Sequence, residues 1–145
     1  MDFRKSFNDK IILVTGGAGA IGSNLSRALA DAGAAKVIIL DDLSASYSWN
    51  IPNLPNVLFI KGSITNDVDL KRVFHEKPDY IFHLAAFFAN QNSVDYPERD
   101  LLVSQLGTVK MLEHAVLQGE IQRFVYAGSG CAIYGCLLYT SDAAD

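Results

Sequence analysis

Short apolar runs alternate along the chain with segments whose apolar residues recur at helical spacing. Continuous runs of β-branched and other apolar residues are typical of strands that are buried on both faces of a parallel sheet. The sequence predicts five of them, at residues 10–15, 36–41, 57–61, 80–84 and 122–127. Since strands and helices alternate throughout, the pattern predicts an α/β fold with a doubly wound parallel sheet, strand order 3-2-1-4-5 and right-handed crossovers.

Helices are predicted between the strands from their boundary residues. The first helix ends before Gly33, a residue type that suits a helix C-terminus. Asn66 is placed to cap a short helix. Pro97 is suited to the first turn of a long helix, which Gly119 closes. The polar stretch 42–56 predicts a loop with a short helical turn.

The segment TGGAGAIG joins the first predicted strand to the first predicted helix and carries glycines at three-residue spacing. Gly16 permits a tight turn, Gly19 lets the backbone approach a diphosphate, and Gly22 lets the helix pack closely on the sheet. The N-terminus of that helix offers amide donors and the positive end of its dipole to a phosphate. The pattern therefore favours a Rossmann-type dinucleotide site. The alternative is a tight strand-to-helix turn without a ligand.

Asp41 closes the second predicted strand, 19 residues after Gly22. A carboxylate at this position accepts hydrogen bonds from the hydroxyls of the adenosine ribose and repels a 2′-phosphate. No Lys or Arg occurs between residues 42 and 56 to neutralise such a phosphate. These features favour NAD over NADP. Asp42 either shares this role or is a solvated loop carboxylate.

Composition excludes several classes of function. The chain has 145 residues, of which 50% are hydrophobic and 19% charged, and its net charge is −4. This balance argues against disorder, nucleic-acid binding and binding to anionic membranes, and no segment is apolar enough for a membrane span. Cys131 and Cys136 do not form a Cys-x-x-Cys pair, so we expect reduced thiols, no metal site and a cytoplasmic location.

Five short motifs occur together in one order: TGGAGAIGSNL, the DDLS turn at residues 41–44, FHLAA at 82–86, SV-x-x-P at 93–97, and FVYA-x-S followed by Tyr134 and Gly135. They resemble the extended short-chain dehydrogenases, and more narrowly the NAD-dependent nucleotide-sugar epimerase/dehydratase family typified by UDP-glucose 4-epimerase. The resemblance covers residues 9–135. It implies a parent enzyme, an isomerase or lyase, that uses NAD as cofactor and a nucleotide sugar as substrate.

The resemblance also implies which residues hold the cofactor. They are Gly16, Gly19, Ala20, Ile21 and Gly22 around the diphosphate, Asp41 and Asp42 at the ribose, Ser63 and Ile64 at the adenine edge, Leu84, Ala85, Ala86 and Phe88 between the two riboses, and Ser104 in the long helix. Three of these positions depart from the family pattern, which often has an aromatic residue where Ala20 stands. The family more often has Asp where Ser63 stands and Asn where Ser104 stands.

The chemistry that the resemblance implies is transient hydride transfer at a sugar carbon. In the family a Tyr-x-x-x-Lys pair supplies the base, and a Ser or Thr hydroxyl orients the substrate. The sequence contains no Tyr-x-x-x-Lys, so we expect this 145-residue chain to be inactive. Ser129 is the candidate catalytic hydroxyl, and its alternative role is to cap the fifth strand. His83 either packs in the core, which we favour, or faces the cofactor.

Two alternatives share this scaffold. One is another extended short-chain dehydrogenase, of the hydroxysteroid or carbonyl type, and the other is a non-catalytic NAD-binding domain. The SV-x-x-P motif and the Tyr134-Gly135 pair favour the nucleotide-sugar enzymes. Because relatives are commonly dimers through the long helix, a homodimer is one expectation for the parent protein.

Residues 136–145, CLLYTSDAAD, fit neither the strand pattern nor the helix pattern. The segment is similar to the translation of a transposase-type sequencing-library adapter. We therefore expect two parts: residues 1–135, an incomplete NAD-binding domain truncated after the fifth strand, and residues 136–145, a non-native tail. We also expect the fifth strand to present an uncovered apolar edge.

Overall fold

The computed structural model describes residues 4–87 and 90–128. Five strands and six α-helices occur within them, together with one 3₁₀ turn and one π-helical segment. In chain order they are α1 (Arg4–Phe7), β1 (Ile11–Thr15), α2 (Ala20–Asp31), β2 (Lys36–Asp41), the 3₁₀ turn (Ser48–Asn50), β3 (Val57–Lys61), α3 (Asp67–His75), β4 (Tyr80–His83), α4 (Asn90–Asp95), α5 (Pro97–Asp100), the π-helical segment (Leu101–Leu106), α6 (Gly107–Gln118) and β5 (Arg123–Tyr126).

The five strands form one sheet in the order β3-β2-β1-β4-β5, and every neighbouring pair is parallel. The predicted α/β class, strand order and Rossmann-type winding are therefore confirmed. Strand β1 lies at the centre, where Ile12 pairs with Val37 of β2 on one side and with Tyr80 of β4 on the other. The order reverses between β1 and β4, so the carboxyl ends of these two strands border a crevice.

Apolar side chains cover both faces of the central strands. On one face Leu13 and Ile38 pack with Met111 of α6 and with α3 residues such as Val73. On the other face Ile12, Val14 and Val37 pack with α2 through Leu29 and Ala30. The burial of both faces explains why β1 and β2 have continuous apolar sequences instead of alternating ones.

Helix ends follow the predicted signals. The Asn66 side chain accepts hydrogen bonds from the backbone N–H groups of Val68 and Asp69 at the start of α3. Gly119 closes α6 with a left-handed φ of 76°, and Gly33 follows α2 with a φ of 89°. A side chain other than glycine would be strained at both of these left-handed positions.

The predicted long helix from Pro97 to Gln118 is interrupted. α5 is followed by six residues of π-helix before α6 begins. Within this stretch the Thr108 hydroxyl donates to the Ser104 carbonyl at 2.7 Å, and the Ser104 hydroxyl donates to Asp100 Oδ1 at 2.7 Å. A hydroxyl that bonds to a backbone carbonyl of the preceding turn competes with the regular ladder, and the Thr108–Ser104 bond does so where the π-helical segment meets α6.

The β5 side of the molecule is much more exposed than the centre. Val125 and Tyr126 of β5 are 36% and 57% exposed. The outer face of α6 also presents apolar side chains, among them Val109, Val116 and Leu117. Among the residues that the structure describes, no helix has the length and apolar character that a membrane span requires.

Candidate cofactor-binding cleft

A cleft of about 640 Å³ opens at the carboxyl ends of the central strands. The segments that line it include the glycine turn after β1, the loops after β2, β3 and β4, and residues of α4, α5 and the π-helical segment. Its volume lies within the usual range for small-molecule and cofactor sites. The predicted site residues that line it are Gly16, Gly19, Ala20, Asp41, Asp42, Ser63, Ile64, Leu84, Ala85 and Ala86.

The glycine turn leaves no room for side chains at its closest contacts. Gly16 has a φ of 68°, and a Cβ there would lie 2.8 Å from the Ala85 amide nitrogen. A Cβ at Gly22 would collide with the Gly16 carbonyl oxygen and lie 2.7 Å from Gly17 Cα. The turn therefore packs backbone to backbone against both the loop after β4 and the first turn of α2. The amides of Gly16, Ala18 and Gly19 donate within the protein, so a diphosphate at this end would meet the amides of the first turn of α2.

The Asp41 carboxylate ties the glycine turn to the loop after β2. Its Oδ2 accepts from the Ala18 amide at 3.0 Å, and its Oδ1 accepts from the Leu43 amide at 2.9 Å and from the Ser46 hydroxyl at 2.8 Å. Asp42 is exposed and accepts only a local bond within these loops, from the Ser44 amide at 2.8 Å. Both carboxylates line the cleft, and Asp41 also shapes it.

The wall beside β3 is built from Ser63 and Ile64. The Ser63 amide donates to Asp69 Oδ2 at 3.0 Å, which anchors this loop to α3. Ile64 is buried, and its side chain packs against Gly107, where a Cβ would lie 2.7 Å from Ile64 Cδ1. The close contact at Gly107 fixes α6 against this wall of the cleft.

The wall after β4 is held by hydrogen bonds that its amides donate to the side chains of the buried Thr15 and the half-buried Ser104. The amide of Ala85 donates to Thr15 Oγ1 at 3.2 Å, and the amide of Phe87 donates to the Ser104 hydroxyl at 3.2 Å. His83 lies beneath this wall in the core, 1% exposed, with Nδ1 2.7 Å from Thr15 Oγ1 and Nε2 2.9 Å from Thr108 Oγ1. Burial lowers the pKa of His83 to about 4. The structure thus places His83 in the core, as we favoured.

The remaining predicted site residues lie away from the cleft surface or outside the described residues. The Ile21 side chain is 75% exposed, Gly22 is buried behind the glycine turn, and the Ser104 hydroxyl is bonded within the protein. Phe88 and Ser129 lie outside the described residues, as does the whole segment 136–145. The roles assigned to these residues stay predictions.

Sequence reasoning missed part of the lining. The additional cleft residues include Ser44, Ala45, Ser46, Phe87, Asn92, Tyr96, Arg99 and Val103. Among the described residues that line the cleft, Arg99 is the single basic one, and its guanidinium lies 5.2 Å from the centre of the Phe87 ring. Ser44 and Ser46 follow the Asp41–Asp42 pair directly, so they could have been found from their position. Arg99 carries no local sequence signal.

The family profile described as the NAD dependent epimerase/dehydratase family matches residues 12–143. This range includes the glycine turn, Asp41 and the loop after β4. The chain belongs to the NAD dependent epimerase/dehydratase family. The matched range also extends into the segment 136–145, and the predicted division of the chain at residue 135 stays a prediction.

Individual relatives of this family agree with that assignment. A UDP-glucose 4-epimerase of Mycolicibacterium smegmatis is 43% identical over 128 residues, which are 85% of this chain and 40% of that protein. The structure of an epimerase of Methanothermobacter thermautotrophicus is 61% identical with a TM-score of 0.89, over 93% of this chain and 40% of that one. A Bordetella bronchiseptica enzyme solved with NAD+ is 33% identical with a TM-score of 0.81, over 87% and 38%.

The chain thus spans about 40% of the length of the relatives that it matches. The described residues fit the adenosine and diphosphate parts of a dinucleotide, because the glycine turn exposes backbone where a Cβ would intrude and carboxylates stand at the end of β2. No cluster of three or more metal-ligating side chains occurs in the described part of the chain.

Proposed function

We propose that the cleft binds NAD and that this chain is the cofactor-binding part of a nucleotide-sugar epimerase or dehydratase. One observation carries the proposal: the glycine turn, the Asp41 carboxylate and the Ala85–Phe87 wall converge on one cleft of about 640 Å³. Each supplies what one part of a dinucleotide needs, which is a diphosphate cradle, a ribose acceptor and a close-packed backbone wall.

The cofactor is held by this chain's backbone and carboxylates. Gly19 and Ala20 offer the start of α2 to the diphosphate, and Asp41 and Asp42 accept from the ribose hydroxyls. Since no Lys or Arg occurs between residues 42 and 56, the loop after β2 offers a 2′-phosphate carboxylates and no cation, and we propose NAD over NADP. When bound, NAD supplies a hydride acceptor for a sugar carbon.

The reaction itself needs more than this chain contains. Ser129 is the proposed hydroxyl that orients the substrate, and the sequence has no Tyr-x-x-x-Lys to act as base. We therefore propose that the 145-residue chain binds cofactor without completing the reaction. Addition of UDP-glucose and NAD should give no UDP-galactose, and any product above the enzyme-free background would contradict this proposal.

The proposed substrate class and assembly follow from the family and from the exposed surface. Relatives named UDP-glucose 4-epimerase support a UDP-sugar as the substrate of the parent protein. The outer face of α6 exposes Val109 and Val116, and the preceding π-helical segment exposes Leu106. Apolar surface on one side of a helix supports the proposed homodimer of the parent protein.

The experiment that tests cofactor binding is calorimetric titration of the 145-residue chain with NAD and with NADP. We expect NAD to bind at least about tenfold more tightly, a difference of about 1.4 kcal/mol. Asp41→Asn should weaken NAD binding by about tenfold because it removes the charge-assisted bonds to the ribose. Asp31→Asn, at the exposed end of α2, is the matched control. Equal affinity for NAD and NADP, or an unchanged affinity in Asp41→Asn, would contradict the proposal.

A further inference from the structure

A continuous series of hydrogen bonds runs beneath the cleft from the end of β1 to α6. Thr15 Oγ1 lies 2.7 Å from His83 Nδ1, and His83 Nε2 lies 2.9 Å from Thr108 Oγ1. The Thr108 hydroxyl donates to the Ser104 carbonyl at 2.7 Å. Thr15 and His83 are 0% and 1% exposed, so water has little access to their polar atoms. These groups therefore satisfy one another.

The carbonyl at one end of the series fixes the direction of every bond. Because the Ser104 carbonyl can only accept, the Thr108 hydroxyl donates to it and its oxygen accepts from His83 Nε2–H. His83 Nδ1 then carries no proton and accepts from the Thr15 hydroxyl. The Thr15 oxygen is left to accept from the Ala85 amide, at 3.2 Å. One neutral tautomer of the imidazole satisfies all four contacts.

The series meets the cleft wall at two points. Ala85 lines the cleft, and its amide is held by Thr15. Phe87 also lines the cleft, and its amide is held by the hydroxyl of Ser104, whose carbonyl receives the Thr108 hydroxyl. The backbone between Ala85 and Phe87 is thereby fixed at both ends by groups that His83 connects.

The geometry points to His83 as a positioning residue, in its Nε2–H tautomer, that acts through Thr15 and Thr108 to set the Ala85–Phe87 wall. This wall follows β4, on the other side of β1 from the Asp41 carboxylate at the end of β2, so we assign it to the part of the cofactor beyond the adenosine. His83 does not line the cleft and acts only through its neighbours. The inference rests on the proposed function, since it assigns the wall to one half of bound NAD. The burial that lowers the pKa of His83 agrees with a neutral ring.

The first test uses the chain without cofactor and compares Thr108→Val with Thr108→Ser. Valine keeps the volume of threonine but removes the hydroxyl, whereas serine keeps the hydroxyl. Nitrogen-15 NMR of the unmutated chain should show the His83 proton on Nε2. A proton on Nδ1 would overturn the assigned tautomer. In Thr108→Val the Ala85 and Phe87 amides should exchange with solvent at least about tenfold faster, which corresponds to 1.4 kcal/mol. Thr108→Ser should show the same amide exchange rates at Ala85 and Phe87 as the unmutated chain.

Uniformly faster exchange across β1 and β2 in Thr108→Val would mean general destabilisation and would overturn the positioning role. Unchanged exchange at Ala85 and Phe87 would overturn it as well. Both outcomes are read without cofactor, so they are independent of whether the cleft binds NAD.

The second test compares affinities for NAD and for AMP, which contains only the adenosine half of the dinucleotide. We expect Thr108→Val to weaken NAD binding by about tenfold, equal to 1.4 kcal/mol, and AMP binding by less than about twofold. Thr108→Ser should bind NAD and AMP with the same affinities as the unmutated chain. Equal losses for NAD and AMP would overturn the inference. If the unmutated 145-residue chain binds neither NAD nor AMP, the proposed function fails. The amide exchange rates alone then decide whether His83 positions the Ala85–Phe87 wall.

Discussion

The two sides of the sheet are held by different interactions. In β1 and β2, Ile12, Leu13 and Val37 are fully buried, whereas Val125 and Tyr126 of β5 are substantially exposed. The glycine turn after β1 packs closely, backbone to backbone, at Gly16 and Gly22, whereas the amides of the wall after β4 donate to the side chains of Thr15 and Ser104. The cleft therefore has one wall that depends on shape and one that depends on correctly paired polar groups.

The largest loss of stability should come from crowding the backbone of the glycine turn after β1. Gly22→Ala would place a Cβ against the Gly16 carbonyl and 2.7 Å from Gly17 Cα, and both are backbone atoms that cannot rotate away. We expect the free energy of unfolding to fall by about 4 kcal/mol, above the usual 1–3 kcal/mol for overpacking. Gly19→Ala is the matched control, since its nearest contact is 3.3 Å, and it should cost far less. Urea denaturation of both variants measures the difference, and equal losses would contradict it.

A smaller loss of stability should come from protonating His83, which lies beneath the wall after β4. The pKa of His83 is lowered to about 4 in the folded protein from its ordinary value of 6.5, so the unfolded chain binds the additional proton first. The free energy of unfolding should therefore fall as the pH drops below about 6.5, by about 2 kcal/mol at about pH 5, and stop falling on this account below about 4. Urea denaturation at a series of pH values measures it.

The His83→Gln variant should remove most of this dependence, and His75→Gln, at an exposed position of α3, should keep it. Measurements below about pH 4.5 do not isolate His83, because Glu76 also affects stability there. The hydrogen bond from Lys36 lowers the pKa of Glu76 from 4.5. The stabilisation from that pair is present above 4.5 and is lost as the pH falls through the lowered pKa of Glu76. If the free energy of unfolding depends on pH identically in the unmutated chain and in His83→Gln, His83 is not the source of this dependence.

The smallest effect should come from the exposed outer face of α6. Val116 and Leu117 are 79% and 81% exposed, so Val116→Ser and Leu117→Ser should each change the free energy of unfolding by less than about 0.5 kcal/mol. Met111, fully buried on the same helix, is the contrasting position, where Met111→Ala should cost about 3 kcal/mol. A thermal or urea unfolding series is sufficient, and a large loss at Val116 would show that this face is covered.

Local sequence signals were sufficient for the sheet. The predicted bounds of β2 and β3 agree with the structure, because each apolar run is bounded by residues such as Lys36, Asp41 and Lys61 that mark its ends. The strand order followed from the alternation of strands and helices. The π-helical segment could not be predicted, since it depends on how the Ser104 and Thr108 hydroxyls bond once the helix is packed.

The cleft was predictable where one short motif supplies several of its groups. The glycine turn and Asp41 have local physical reasons for their positions, and the structure brings them together. Tyr96 and Arg99 reach the same cleft only because α5 packs beside Phe87. A contact of that kind depends on tertiary structure, and no pattern within a few residues of Arg99 encodes it.

The central position of β1 has a consequence for the order of assembly. β1 pairs on one side with β2, which follows it after a short helix, and on the other side with β4, where the Ile11 amide reaches Asp79 across 68 residues of chain. Closing the longer loop costs more chain entropy. The β1–β2–β3 unit can therefore pair while the ribosome is still extending the chain towards β4. We expect β4 to insert beside β1 after this unit has formed, a step that brings the loop after β4 to the cleft.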